Sequence, residues 1–343
     1  MSGAPHRIAI IGLGMALDPH LSSLRELSAR VEIAAAWSPG AARRAEAAVR
    51  YGLAPAVSLE QILDDTSIDT VLLLTPPMSH LELVQRCAAA GKHVLLEKPL
   101  DVSVARATQA VEAMEHAGRK FGIVLQHRFR PASLELRRMI DNDELGELIS
   151  GSASIRWWRP PSYYEQAGRG MKDRDGGGVL LTQAIHTLDL FQSLTGPIRS
   201  VVSTAVNSGR RAIDTEDIVA AAVTFANDAV GAIDATTLAY PGFPERIELA
   251  CTKGTAVLSA ETLDVFFQDG RTFHLEGAPS ASSGSDPMAF GNAAHKAVIG
   301  DFLDAIELDR PPLVDGRAAL RVQALIEALL LSSERQQAVE LLH

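Results

Sequence analysis

Short runs of consecutive apolar residues alternate with helix-like segments over the first third of the chain. The main runs are Arg7–Ile11, Val31–Ala36, Thr70–Leu74, His93–Leu96 and Phe121–Leu125, with a smaller one at Ala56–Val57. Strands that are apolar on both faces are typical of parallel sheets covered by helices on each side. The pattern predicts a doubly wound α/β domain of Rossmann type over residues 1–125.

After Gln126 the pattern changes, because strand-like runs now follow one another without helices between them. A helix over Gly178–Leu194 precedes seven such runs between Val201 and Leu275, and an apolar strand is expected at Leu148–Trp158. Successive strands of this kind indicate a large, mostly antiparallel open sheet. We therefore expect an α/β plus α+β protein with a substrate and oligomerisation domain over residues 126–343. Ala278–Gly291 is expected to be a surface loop, and the helices after it can pack back on the first domain.

A glycine pair stands between the first strand and the first helix. Gly12-Leu13-Gly14 allows a tight turn and lets a pyrophosphate approach the helix N-terminus. The third position of the G-x-G-x-x-G fingerprint is Leu17 rather than glycine, and paired glycines also make simple turns. The position at the start of an N-terminal strand–helix–strand unit favours dinucleotide binding by Gly12, Gly14 and the adjoining Met15.

The end of the second strand predicts which dinucleotide binds. Domains specific for NAD usually place an acidic residue here, whereas this chain has Ser38, followed by Arg43 and Arg44. A hydroxyl and two guanidinium groups suit a ribose 2′-phosphate, which a carboxylate would repel. The alternative is that Ser38 only caps the next helix and that both arginines are solvated. We expect NADP as the cofactor, with NAD as the alternative.

Two further segments follow apolar strands, at the sheet edge where open α/β sheets bind ligands. Thr75, Pro76 and His80 form the first segment, which is expected to contact the cofactor unless it only begins the next helix. Glu97-Lys98-Pro99 is the second, and Gln126 after the last strand is a further cofactor candidate.

Glu97 and Lys98 place a carboxylate and a cation beside the expected position of the nicotinamide. When an alcohol loses a hydride, its hydroxyl proton must leave while negative charge develops on oxygen. A lysine stabilises that charge and can relay the proton, and a paired glutamate positions it. An ordinary surface ion pair is the alternative. We expect Lys98 to be catalytic and both residues to belong to the cofactor site.

Together these motifs resemble the Gfo/Idh/MocA family of NAD(P)-dependent oxidoreductases. The resemblance covers essentially the whole chain and rests on Gly12-x-Gly14 with His20, Thr75-Pro76 with His80, Glu97-Lys98-Pro99 and a later Gly-Gly…His-x-x-Asp segment. It implies that Lys98 acts in catalysis or substrate positioning. It also implies a second domain whose open sheet often forms oligomers, so we expect a homo-oligomer, either a dimer or a tetramer.

The segment from Gly176 to Asp189 resembles the catalytic helix of that family. Its usual form, Asp-x-x-x-His, places both side chains on one helix face, and this chain has Thr182 and His186 there. The resemblance implies that both positions are catalytic and that His186 takes the hydroxyl proton. A structural histidine is the alternative, since Thr182 leaves His186 without a carboxylate one turn earlier. Asp189 is interpreted as a structural or orienting residue.

Aromatic and basic residues are concentrated between residues 156 and 174. Rings stack on sugar faces and arginines bind carboxylates or phosphates, so we expect this segment to cover an anionic sugar. An oligomer interface would use the same residue types. For Arg128 the alternative is an interdomain salt bridge. The candidate substrate contacts are Arg128, Trp158, Tyr163, Arg169, Gln183 and His186.

Composition and charge limit the binding partners and the cellular location that we expect for this protein. The 343 residues carry a net charge of −10, which gives no general attraction for nucleic acid or for an anionic membrane. Cys87 and Cys251 form no disulfide framework, and neither a signal peptide nor a bilayer-spanning run is recognisable, so we expect a cytoplasmic protein. No motif has metal-ligand spacing, and we expect no metal.

The sequence thus predicts an NAD(P)-dependent dehydrogenase or reductase acting on CH–OH groups of a sugar, sugar acid, cyclitol or nucleotide sugar. Two other functions stay open: an enzyme with internally recycled NAD, and a non-enzymatic dinucleotide sensor that binds a partner protein. Conversion of a substrate without net formation of reduced nicotinamide would distinguish the enzyme with recycled NAD from a dehydrogenase. Lys98 together with His186 argues against the second, whereas Thr182 keeps it open.

Overall fold

The computed structural model describes residues 4–166, 168–277 and 291–341. The chain divides into two compact units, one formed by residues 1–126 and 292–320 and the other by residues 127–291 and 321–343. All but the last residue of the loop expected at Ala278–Gly291 lies outside the described residues.

A five-stranded parallel sheet forms the centre of the first unit. Its strands are β1 (His6–Ile11), β2 (Val31–Trp37), β3 (Thr70–Leu73), β4 (His93–Glu97) and β5 (Phe121–Val124). The helices of this unit are α1 (Leu17–Glu26), α2 (Ala41–Tyr51), α3 (Leu59–Asp64), α4 (His80–Ala89), α5 (Val104–His116) and α9 (Ala293–Glu307). The order β2-β1-β3-β4-β5 confirms the predicted Rossmann-like domain.

The strand order determines where a ligand can bind. The chain passes from β1 outward to β2 and then crosses back to β3 on the other side of β1. Open α/β sheets bind ligands at the carboxyl ends of the strands, at this switch point. Gly12 directly follows β1, and Thr75 lies two residues after the end of β3. Both predicted cofactor segments therefore lie at the switch point.

The small strand predicted at Ala56–Val57 is wrong. The structure forms only a single bridge there, between Pro55 and Ala36. The side chain of Val57 is 79% exposed, so an apolar residue pair at this point does not mark a buried strand.

Helix α9 packs against α1 and β5 within the first unit. A glycine in β5 makes this possible, because a Cβ on Gly122 would lie 2.6 Å from Phe302 Cδ2. Phe302 is fully buried. Arg30, which precedes β2, adds ion pairs of 2.7 Å to Asp304 and 2.8 Å to Glu307 on the exposed side of α9.

A nine-stranded sheet forms the centre of the second unit. Its strands are β6 (Leu148–Arg156), β7 (Ile198–Val206), β8 (Ile218–Phe225), β9 (Val230–Thr236), β10 (Arg246–Cys251), β11 (Gly254–Ser259), β12 (Thr262–Phe267), β13 (Thr272–Leu275) and β14 (Val339–Glu340). Their order is β13-β12-β11-β10-β6-β9-β8-β7-β14, with β6 and β9 parallel and the other pairs antiparallel. This confirms the expected large, mostly antiparallel sheet.

Four further helices follow β5 in the chain, and one of them, α8, packs on one face of the nine-stranded sheet. These are α6 (Pro131–Asp141), α7 (Lys172–Asp175), α8 (Ile185–Thr195) and α10 (Gly316–Arg335), of which α10 begins in the first unit. On β6, Gly151 lets α8 approach, since an added Cβ would lie 3.2 Å from Phe191 Cε2. On the opposite face Val202, Val206 and Val230 are 41–59% exposed. Within the described ranges, no helix combines the length and apolarity needed to cross a bilayer.

Candidate active site

The glycine turn after β1 has the geometry that a dinucleotide requires. Gly12 has φ +103°, and an added Cβ would lie 2.6 Å from the carbonyl carbon of Leu74, so only glycine fits. At Gly14 an added Cβ would meet no protein atom within 4 Å, which leaves the backbone open to a ligand. Met15 is 52% exposed beside it, and Leu17 at the third fingerprint position is buried at the start of α1.

Ser38, Arg43 and Arg44, in and after the turn between β2 and α2, differ in their burial and in their hydrogen bonds. Ser38 is 3% exposed, and Gly40 rather than Ser38 is the N-cap residue of α2. Arg44 Nη1 donates to the carbonyl oxygens of Ser38 at 2.6 Å and Pro39 at 3.0 Å, whereas Arg43 is exposed. The idea that Ser38 only caps the helix is therefore wrong, and the 2′-phosphate contact stays a prediction.

His80 does not contact a cofactor as predicted, because it is fully buried. Its Nε2 lies 2.8 Å from the carbonyl oxygen of Thr75, and its Nδ1 lies 3.0 Å from that of Pro99. Burial lowers the pKa of His80, although the surrounding carbonyl oxygens oppose the shift. The ring thus joins the loop after β3 to the loop after β4, while Thr75 and Pro76 stay accessible at the sheet edge.

Glu97 holds the main chain of the predicted catalytic lysine. Its Oε2 accepts the backbone N–H of Lys98 at 2.9 Å, and its Oε1 lies 2.8 Å from His20 Nε2. Burial alone would raise the pKa of Glu97, but the hydrogen bond with His20 and the charge of Lys98 outweigh it and lower the pKa. Glu97 is therefore a carboxylate at neutral pH that fixes the backbone at the end of β4.

His295 completes a buried cluster that sequence reasoning did not assemble. Its ring centroid lies 5.0 Å from that of His20, edge to face, and potential ligand atoms of His20, Glu97 and His295 all lie within 4.8 Å of one another. Burial lowers the pKa of His295 to about 4, so its ring is neutral at neutral pH. Two histidines and a carboxylate are a zinc donor set, but the carboxylate of Glu97 already lies within hydrogen-bond distance of His20 and of the Lys98 backbone N–H. We interpret the cluster as support for Lys98.

Arg128 has a partner other than the predicted substrate. Its Nε donates to Asp189 Oδ2 at 2.7 Å and its Nη2 to Asp189 Oδ1 at 2.5 Å, and Asp189 is fully buried. Burial raises the pKa of Asp189, and the Arg128 charge opposes that shift. A buried carboxylate needs such a counter-charge. The pair lies within the second unit, so the interdomain salt bridge is wrong, while a substrate contact by Arg128 stays a prediction. Gln126, the last residue of the first unit, opens the same 3₁₀ turn.

The helix that carries Thr182 and His186 begins with a π turn over Leu180–Ala184 and continues as α8. The sequence predicted a regular helix here. Glu216 Oε2 and Oε1 accept the N–H groups of Gly178 and Leu180, each at 3.1 Å, which anchors this start. Single π turns inside helices are frequent at functional sites.

Thr182 and His186 differ in their surroundings. The Thr182 hydroxyl donates to the carbonyl oxygen of Gly178 at 2.7 Å. His186 is 8% exposed, and its ring lies against that of His127, with centroids 5.1 Å apart. His127 was not among the predicted site residues, and no spacing in the sequence relates it to His186.

Four predicted site residues line one small pocket in the second unit: Tyr163, Arg169, Thr182 and Gln183. Gly178 and Glu216 lie in the same wall. Trp158 does not line it, because its ring packs edge to face on Tyr240 with centroids 5.5 Å apart. The structure therefore joins the aromatic segment to the helix that carries His186.

Tyr163 and Arg169, which line this pocket, belong to a stack of arginines and aromatic rings. The guanidinium carbons of Arg169 and Arg159 lie 5.0 Å and 5.7 Å from the centre of the Tyr163 ring. Arg159 also lies 5.0 Å from the Trp157 ring and is 3% exposed. Arg169 Nη1 is 3.9 Å from the carboxylate of Asp175, too far for a direct hydrogen bond. Sequence reasoning named Arg169 but missed Arg159.

Family models match both units of the chain. The NAD-binding Rossmann-fold model of the GFO/IDH/MocA oxidoreductase family matches residues 6–124, and the model of its C-terminal domain matches residues 133–257. Both matches fall on the folds described above.

Individual relatives are similar over most of the chain. D-apiose dehydrogenase of Paraburkholderia graminis is 26% identical, covering 97% of this chain and 89% of its own. Myo-inositol 2-dehydrogenase of Thermotoga maritima is 26% identical, covering 85% and 96%. The solved structure of the WlbA dehydrogenase of Bordetella pertussis, in complex with NADH and UDP-GlcNAcA, is 26% identical with a TM-score of 0.85, covering 99% and 100%.

The glycine turn at the switch point fits a dinucleotide, and Glu97 holds the backbone of Lys98 at the end of β4. Together with the two family matches, these observations show that the chain belongs to the Gfo/Idh/MocA family and is an NAD(P)-dependent oxidoreductase.

Proposed function

We propose that this enzyme transfers a hydride between a nicotinamide cofactor and a secondary CH–OH group of a sugar, sugar acid, cyclitol or nucleotide sugar. The observation that carries the proposal is the pocket shared by Tyr163, Arg169, Thr182 and Gln183. A ring, a cation, a hydroxyl and an amide suit a polyhydroxylated ligand. The relatives named above act on apiose and inositol, which supports the same class of substrate here.

Each catalytic residue has a defined task in this proposal. The bound cofactor supplies the acceptor for the hydride that leaves the alcohol carbon. His186 takes the proton of the hydroxyl group, so that a carbonyl forms as the C–H and O–H bonds break. Lys98 stabilises the negative charge that develops on that oxygen. In the reducing direction the same groups act in reverse, and Lys98 and His186 assist protonation of the alkoxide.

We also propose that the substrate carries an anionic group held by Arg169. The guanidinium is stacked on Tyr163, donates through Nη2 to Gln166 Oε1 at 3.2 Å, and keeps Nη1 beyond hydrogen-bond distance of Asp175, so Nη1 can face a carboxylate or phosphate. The similar WlbA structure contains UDP-GlcNAcA, a nucleotide sugar of that charge type.

The cofactor preference is a separate part of the proposal. Ser38 with Arg43 and Arg44 favours NADP, whereas the solved relative contains NADH. Calorimetric titration of cofactor-stripped protein with NADP⁺ and NAD⁺ tests this. A tenfold or greater preference for NADP⁺, about 1.4 kcal/mol or more, supports the assignment. Equal or tighter binding of NAD⁺ contradicts it.

The reaction itself is tested with a panel of aldoses, cyclitols, uronic acids and nucleotide sugars, each with NAD⁺ and NADP⁺. Net formation of reduced nicotinamide, followed by its near-ultraviolet absorbance, supports the proposal. Conversion of a substrate without net reduction would indicate an internally recycled cofactor instead. Tight cofactor binding with no conversion of any compound would favour a non-enzymatic dinucleotide sensor.

We further propose a cytoplasmic homo-oligomer assembled through the exposed face of the nine-stranded sheet. Val202, Val206 and Val230 expose apolar side chains on that face, and face-to-face pairing of two such sheets would bury them.

A further inference from the structure

A second buried histidine, His127, lies beside His186 in the second unit. The ring planes are inclined by 33° with centroids 5.1 Å apart, and the two residues are 2% and 8% exposed. His127 comes from the 3₁₀ turn Gln126–Phe129, whereas His186 is on α8. The contact therefore arises from tertiary packing of two separate elements.

Arg130 determines which nitrogen of His127 carries the proton. Arg130 Nη2 lies 2.9 Å from His127 Nε2. Because a guanidinium can only donate, Nε2 must be the acceptor, and the proton of the neutral ring is on Nδ1. Glu245 Oε1 lies 3.9 Å from that Nδ1 and 2.5 Å from Arg130 Nη1. Arg130 and Glu245 are 5% and 9% exposed, so this arrangement is held in the protein interior.

A ring in this form cannot take a proton from His186. Its Nε2 lone pair accepts from Arg130, and its Nδ1 already carries hydrogen. The neutral His127 ring, held by Arg130, therefore presents a flat surface against which the His186 ring packs. Thr182, one turn before His186, donates its hydroxyl hydrogen to Gly178, and Asp189, three residues after His186, binds Arg128.

We propose that His127 is a positioning residue for His186, locked in its Nδ1–H form by Arg130 and Glu245, and that it orients the His186 ring in place of a carboxylate one helical turn earlier. The part that concerns catalysis rests on the proposed role of His186 as the base.

The proton position is tested in the full-length enzyme labelled with nitrogen-15 histidine. We expect the imidazole nitrogen shifts of His127, assigned by comparison with His127→Ala, to show a bare Nε2 and a protonated Nδ1 at neutral pH. Arg130→Met should abolish that pattern. An Nε2–H form or a doubly protonated ring in the unaltered enzyme would overturn the inference. This experiment needs no substrate.

The orienting role is tested by the effect of His127→Ala on His186. We expect the His186 imidazole resonances to move and kcat to fall about 10–100-fold, the range seen when groups that orient a functional histidine are removed. KM and the cofactor Kd should stay within about twofold, because the contact acts on the chemical step. His127→Asn, which keeps a flat acceptor for Arg130, should recover part of kcat.

The matched control is His274→Ala, which removes an exposed histidine on β13 and should change none of these quantities. Unmoved His186 resonances in His127→Ala, or a rise in KM with unchanged kcat, would overturn the inference. If the unaltered enzyme converts no compound of the panel, the proposed function fails, whereas the His127 and His186 resonances still decide the inference.

Discussion

At the scale of single residues, the histidines show how burial and partners assign roles that the sequence leaves open. His20 lies within hydrogen-bond distance of Glu97, His80 joins two loops through backbone carbonyls, and His127 accepts from Arg130. The sequence identified His80 and His186 as candidates by their place after a strand or within a helix. It could not predict that His80 reaches the carbonyl oxygen of Pro99 or that His186 lies against His127, because these partners come from distant parts of the chain.

Arg169 tests the anionic-substrate proposal at this scale. Arg169→Gln should raise KM for a carboxylated or phosphorylated substrate about 10–100-fold, since a hydrogen bond to a charged group contributes about 1.5–3 kcal/mol. Steady-state kinetics measures this, with Arg138→Gln as the control because Arg138 is an exposed arginine on α6 of the same unit that does not line the pocket. A change in subunit assembly with unchanged KM would show that Arg169 belongs to an interface.

His295 gives a pH-dependent stability that can be measured without a substrate. Its pKa is lowered from 6.5 to about 4, so below pH 6.5 the unfolded chain takes up a proton that the folded protein excludes. The stabilisation is fully present above pH 6.5 and is lost as the pH falls toward 4, by about 2 kcal/mol at about pH 5.

Urea unfolding at about pH 7 and about pH 5 checks this effect. His295→Gln should lose less stability between the two pH values than the unaltered protein, by that same amount. His274→Gln, at an exposed position, should keep the full dependence. Equal pH dependence in the His295 variant and the unaltered protein would contradict the account.

At the scale of elements, the sequence predicted the type and order of nearly all strands and helices, because apolar periodicity reflects which face is buried. It missed features that depend on tertiary contacts. The π turn before α8 depends on Glu216, and β14 is only two residues long and pairs with β7 far along the chain. Local patterns carry no signal for either feature.

Gly178 tests the importance of this helix start. A Cβ at Gly178 would lie 2.0 Å from the Glu216 carbonyl oxygen. Gly178→Ala must therefore displace either the backbone at Glu216, just before β8, or the π turn. We expect a loss of about 2–4 kcal/mol in the free energy of unfolding and lower activity.

Gly300→Ala is the control. Gly300 lies inside α9, and a Cβ there would meet no atom within 4 Å apart from the backbone of its own helix. This substitution should stabilise the protein by about 0.5–1 kcal/mol, because alanine loses less conformational freedom than glycine on folding. Denaturant unfolding compares the two variants. A Gly178 variant as stable as the unaltered protein would show that the π turn is not fixed by this contact.

At the scale of the whole molecule, the sequence predicted both folds and the segments that supply the cofactor site, since these follow from strand order and motif position. It grouped Tyr163, Arg169 and Gln183 as contacts of one substrate, but it did not predict that Thr182 lines the same pocket or that Arg128 is held by Asp189. Both depend on how the long segment after β6 folds back, which no local pattern specifies.

Assembly through the nine-stranded sheet is a prediction at the same scale. Val202→Glu places a charge on the exposed apolar face and should convert the oligomer to monomers, because burying an unpaired carboxylate is strongly unfavourable. Sedimentation velocity measures the change. Val49→Glu, at a 90% exposed position on α2, should leave assembly unchanged. An unaltered protein that is already monomeric, or a Val202 variant that still assembles, would contradict the proposed interface.

The most direct test of the central claim is a single-turnover measurement of reduced nicotinamide, with excess enzyme and the best substrate of the panel, for the unaltered protein and Lys98→Ala. If Lys98 stabilises the developing oxyanion, the variant still binds the cofactor while the rate of hydride transfer falls about 10²–10³-fold. Lys296→Ala, at an exposed lysine paired with Glu26, should transfer hydride at the normal rate. A Lys98 variant that also reacts at the normal rate would contradict the account.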